Sequence, residues 1–60
     1  MNGNLPNDPV MLLSYVNTQL RDHYASLQDF CKALDIEEQE LAGRLAGIQY
    51  EYDAKANQFV

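Results

Sequence analysis

The sequence predicts a mainly α-helical domain closed by a small β-hairpin. Three observations carry that prediction. Up to residue 45, apolar residues recur every three or four positions, the spacing that lines one face of a helix. Residues suited to starting helices, Asp8, Ser26 and Asp35, stand ahead of these runs. After Gly47 the period changes to alternation, as in a strand with one buried face.

Residues 1–7 hold three Asn, one Gly and one Pro and read as a mobile leader to a single domain over 8–60. Asp8 is a good N-cap, and Pro9 suits the first helical position, where its missing N–H costs nothing. Leu12, Leu13, Val16, Leu20 and Tyr24 follow as one apolar stripe, so a first helix is expected over about 9–23. Ser26, with Asp29 three residues on, resembles a capping box. Leu27, Phe30, Cys31 and Leu34 then share a narrow face, predicting a second helix over 27–34. Asp35 with Glu38 forms a second such box, predicting a third helix over 36–46 that buries Leu41 and Leu45. Ile36 is expected to plug the corner and Gly47 to stop the helix. Beyond it, Ile48, Tyr50 and Tyr52 alternate with Gln49 and Glu51 as a strand. Residues 53–57 read as a turn, and Gln58-Phe59-Val60 as the returning strand.

The expected architecture is a helix-turn-helix core of three helices plus a C-terminal two-stranded hairpin, in effect a miniature winged helix. The words LLSYVNTQLRDHYASLQDFC, LDI, GIQYEYD and NQFV resemble a family of short bacterial proteins known as domain of unknown function 4250. The likeness spans about residues 5–60. It is most specific in the Val16–Leu27 stretch and in the Tyr-x-Tyr-Asp and Asn-Gln-Phe words of the ending. The resemblance implies a bacterial source and brings no catalytic or binding residues. Gln49 stands where it leads one to expect glycine. More loosely, residues 27–45 resemble the generic helix-turn-helix, with Cys31 at the close approach of two helices. Asp35 stands in the turn where glycine is usual.

Composition narrows the function classes. The chain has 60 residues, 47% of them hydrophobic, and a formal net charge of −5. Such a small acidic protein is above the apolar content of disordered chains and is repelled by phosphate polymers and anionic lipid surfaces. With Cys31 as the only cysteine, no internal disulfide is possible, and a secreted domain this small usually carries several. No apolar run approaches the roughly 20 residues that span a bilayer, and MNGNLPNDP lacks the charge and apolar core of a signal peptide. A cytoplasmic location is expected, with no membrane partner.

The helix-turn-helix layout raises nucleic-acid binding by a transcriptional regulator as one reading. Its third helix, however, opens with Glu37, Glu38 and Glu40. Arg and Lys are the usual readers of guanine and the usual phosphate partners. Only Gln39 offers itself to a base, while Arg44 lies toward the core edge and Lys55 stands alone in the hairpin turn. Nucleic acid is therefore the weaker reading.

The favoured reading is a non-catalytic protein-contact module, binding a second copy or another protein. Gly43 inside a helix costs about 1 kcal/mol relative to Ala. With Gln39, Ala42 and Ala46 it forms a small outward arc that lets another backbone come close. Met11 and Tyr15, off the main stripe of the first helix, supply larger apolar groups for such a contact. The bland alternative is that alanine is simply a good helix former and that Met11 and Tyr15 cover the hairpin.

No cofactor or metal is expected. His23 and Cys31 are single examples of their types, whereas a metal site needs three or four ligands and a catalytic Cys needs a base. Cys31 reads as an inert core residue and His23 as a helix-end residue that suits the dipole. The three glutamates diverge along their helix and suit its positive end. Asn17, Arg21 and Asp22 form a polar run. Asp22 is expected to accept backbone N–H bonds near Ser26 and so tie a corner, the alternative being an Arg21-centred contact with a partner.

Overall fold

Each helix begins on a local device and ends on another. The structure is a computed structural model that describes residues 5–60. Helix α1 runs Pro9–Asp22, and the Asp8 carboxylate accepts the Met11 N–H at 3.2 Å as its cap. Helix α2 runs Leu27–Leu34, with the Ser26 hydroxyl accepting the Asp29 N–H at 3.1 Å. Both starts match the sequence reading. Of the leader expected over residues 1–7, residues 1–4 lie outside the described residues, and Leu5 packs half-buried against the core.

Helix α3 departs from expectation. It runs Glu38–Ala46 after Glu37, which makes no side-chain cap. Asp35 is not its N-cap. Instead Asp35 closes α2 in the left-handed conformation, with φ 58°. The Ile36 N–H bonds the Cys31 carbonyl at 2.9 Å and the Asp35 N–H the Lys32 carbonyl at 3.3 Å, which is the Schellman pairing. An N-cap needs extended backbone, so one residue cannot serve both ends. The closure turns Ile36 onto the core as the corner plug expected of it.

The end of α3 repeats the device. Tyr50 N–H bonds the Leu45 carbonyl at 3.0 Å, Gln49 N–H bonds that of Ala46 at 2.9 Å, and Gln49 has φ 68°. The expected strand over residues 48–52 is therefore wrong in its first half. Residues 47–50 finish the helix, and Gln49 takes the conformation in which glycine is usual. Strand β1 is only Tyr52–Asp53, antiparallel to β2, Gln58–Phe59, with Tyr52 opposite Phe59. Glu51 and Val60 extend the ladder by exchanging bonds of 3.0 and 2.9 Å.

The core lies where the three helices and the hairpin converge. Its buried members are Leu12, Val16 and Leu20 of α1, Leu27, Phe30 and Cys31 of α2, Leu41 and Leu45 of α3, and Phe59 of β2. Tyr15 and Tyr24 meet the Phe30 ring edge-on at centroid distances of 6.4 and 5.3 Å, a favoured aromatic geometry. No polar or charged residue is buried among those described. None of these helices is long and apolar enough to cross a membrane.

Candidate functional site

Leu41 and Leu45 are buried, so the opposite side of α3 faces outward. Gln39, Gly43 and Ala46 are exposed there, and Ala42 is half-buried at the margin. Among the described residues, a Cβ added at Gly43 would meet nothing within 4 Å beyond the backbone of its own helix. No internal packing therefore calls for a glycine at this position, inside a helix where it weakens the structure. The charges of α3 are segregated, with Glu38 and Glu40 in the first turn and Arg44 in the last. This arrangement suits the helix dipole. The sequence identified this face, and the structure leaves most of it open.

The other half of the expected contact divides. Met11 is 62% exposed. Tyr15 instead leans on Phe30 of α2 as part of the rim of the core, so its ring already has intramolecular work.

Beside the acidic end of α3 lies a cleft of about 330 Å³. Leu5, Ile36 and Leu41 give it apolar walls, and Asp35, Glu37, Glu40 and Arg44 line it with charge. Its volume is at the lower end for small-molecule sites. Its titratable lining consists of three carboxylates and one guanidinium, with no His, Cys, Ser or Lys beside them.

The polar run of α1 separates into two unrelated roles. Arg21 and Asp22 pair with each other, Nε to Oδ1 at 2.9 Å and Nη2 to Oδ2 at 3.0 Å, on the exposed surface. The pairing holds the Asp22 carboxyl below its ordinary range and raises the Arg21 guanidinium above its own. Asp22 thus does not tie the corner to α2. Asn17 does tie a corner, but to the hairpin. Its amide donates to the Phe59 carbonyl at 3.1 Å and accepts the Phe59 N–H at 2.8 Å.

The residue that joins α1 to α2 is one that the sequence reading passed over. Asn57, left-handed at φ 55°, donates to the carbonyls of Leu20 and Tyr24, both at 3.0 Å. Its Oδ1 accepts the Tyr52 hydroxyl at 2.7 Å. That hydroxyl oxygen in turn accepts the Leu27 N–H at 3.2 Å, one of the donors that a helix start leaves over. The available signal was that Asn17, Tyr52, Asn57 and Phe59 all fall within the most family-like words of the chain.

Of the single reactive types, Cys31 is buried and free, and burial, aided by Glu38, pushes its thiol pKa up. This weakens it as a nucleophile. His23 is exposed at the end of α1, edge-on to Tyr24. Among the described residues no three His, Cys, Asp or Glu gather to hold a metal.

Comparison with known proteins identifies a family. The model of a family described as "Domain of unknown function (DUF4250)" matches residues 6–59. No curated protein and no solved structure matches the chain.

Proposed function

Since the chain belongs to the DUF4250 family, whose description assigns no activity, we propose a function from its own surface: a non-catalytic, cytoplasmic protein-contact module that works through the outer face of α3. The observation that carries this reading is Gly43. Among the described residues, nothing beyond the backbone of its own helix comes within 4 Å of the place its missing side chain would take, yet the helix bears the cost of the glycine. A neighbouring backbone settling between Gln39, Gly43 and Ala46 offsets that cost through close contact. The occupant is a second copy or another protein. Nucleic acid is disfavoured by Glu37, Glu38 and Glu40 at the start of the same helix, because affinity for phosphate grows with each phosphate neutralised by Lys or Arg.

Two substitutions separate contact from folding. Gly43→Ala should stabilise the isolated chain by about 0.5–1 kcal/mol, since the added methyl meets open space. Gly43→Arg should keep the fold, the position being exposed, while blocking close approach. Analytical ultracentrifugation at tens of micromolar should then give a dimer for the natural chain and a monomer for Gly43→Arg. Monomers in both cases eliminate the homodimer. Submicromolar binding of mixed-sequence duplex DNA at low salt, read by fluorescence anisotropy, would overturn the preference for a protein partner.

A further inference from the structure

The hairpin has two edges, and α1 occupies one of them. Because Glu51 and Val60 exchange both backbone bonds, the next pair, Tyr52 and Phe59, directs its peptide groups away from the partner strand. On the β2 side those groups are taken by the Asn17 amide, at 3.1 and 2.8 Å. Asn17 thus stands where a third strand would bond. On the β1 side, the N–H and carbonyl of Tyr52 have no partner among the described residues.

The residues on either side of Tyr52 define what fits this edge. Glu51 and Asp53 are both acidic and, by strand alternation, both lie on the face opposite the Tyr52 ring. Lys55, the one cation of the hairpin, sits in the turn beyond, where its N–H bonds the Asp53 carboxylate at 3.0 Å. A second copy is a poor occupant. Antiparallel pairing about Tyr52 would set Glu51 of each chain against Asp53 of the other, and directly opposed like charges destabilise a ladder. A strand with Lys or Arg at both facing positions reverses that sign.

We propose that the open edge of β1 accepts an extended basic peptide segment as an added strand. Tyr52 exchanges backbone bonds with the central residue of the segment, while Glu51 and Asp53 face basic residues on either side. This is peptide recognition by strand addition, in which backbone bonds give affinity and the flanking side chains give specificity. It uses a different element from the Gly43 face and stands or falls independently of it.

The test is a nuclear magnetic resonance titration of the labelled protein with a short peptide of alternating Lys and Thr at near-physiological salt. The amide signals of Glu51, Tyr52 and Asp53 should shift, and exchange of the Tyr52 amide should slow. The same peptide with alternate amides N-methylated keeps its charge but lacks the donors, and should not bind. Glu51→Lys combined with Asp53→Lys, its fold checked by circular dichroism, should weaken binding by about tenfold or more. The proposal is overturned if no binding occurs, or if the N-methylated peptide binds equally well. Shifts confined to Glu37, Glu38 and Glu40 overturn it too, because they report only attraction to the acidic end of α3.

Discussion

Asn57 makes three side-chain hydrogen bonds, more than any other described side chain, and its chemistry explains the choice. The position needs a left-handed backbone, which Asn tolerates better than most residues. It also needs two donors for the carbonyls of Leu20 and Tyr24 and one acceptor for Tyr52. Only a side-chain amide short enough to stay local supplies all of these. Asn57→Asp keeps the shape and the acceptor but turns a carboxylate toward two carbonyls. It should cost roughly 2–4 kcal/mol, the range for leaving buried polar groups opposed or unpaired. Asn57→Gly keeps the backbone and frees those carbonyls to water, so it should cost less, about 1–2 kcal/mol. Urea denaturation should therefore rank the natural chain first, glycine second and aspartate last. If Asn57→Asp unfolds at the same midpoint as the natural chain, the bridge contributes nothing. The bonds themselves are not legible in the sequence, because the carbonyl partners lie 37 and 33 residues away and any of several polar residues in a turn looks equivalent there.

At the level of elements, legibility follows whether the deciding interaction is local. The starts of α1 and α2 are readable because Asp8 and Ser26 cap groups three residues on. The core stripes are readable because burial follows helical spacing. The start of α3 escapes a sequence reading for a physical reason. Asp is a preferred N-cap and also tolerates the left-handed closing position, and local sequence does not choose between them. The choice is made by Ile36, which packs on the core and bonds back to Cys31. The expected strand is too long for a similar reason: the apolar residue in a helix-closing turn, Ile48, continues the alternation of Tyr50 and Tyr52 by accident. The unexpected Gln49 is the one clue. The open face of α3 is legible because the cost of Gly43 is a local quantity. Both closures hold non-glycine residues at positive φ, Asp35 at 58° and Gln49 at 68°, where an L side chain crowds its own backbone. Gln49→Gly should therefore raise stability by about 0.5–1 kcal/mol, net of the freedom glycine adds to the unfolded chain. Asp35→Gly should gain less, because Asp already tolerates the conformation. Thermal denaturation of the two variants checks the order, and a loss of stability in Gln49→Gly would contradict it.

On the scale of the whole molecule, three short helices and a hairpin too small to stand alone make each other stable. A hairpin of two-residue strands has no independent stability in water, and helices of 14, 8 and 9 residues lie near or below the length at which isolated helices persist. Phe59 closes the core at 2% exposure, Asn17 holds its strand, and Asn57 and Tyr52 fasten the junction of α1 and α2. The hairpin is thus a structural member of the fold rather than an appended wing. This reasoning fixes the outcome of removing it. A domain of this size rarely holds more than about 3–5 kcal/mol of stability, and loss of a buried Phe alone costs about 3–5 kcal/mol. A chain ending at Tyr50 also lacks the bridge from Tyr52 to the start of α2. It should be largely unfolded at room temperature, with most of its helical circular dichroism gone and no cooperative thermal transition. The alternative is an autonomous three-helix unit, and it makes the opposite prediction. If the truncated chain keeps its helical signal and melts cooperatively, the core is closed by the helices alone and the hairpin is free to serve binding without risk to the fold.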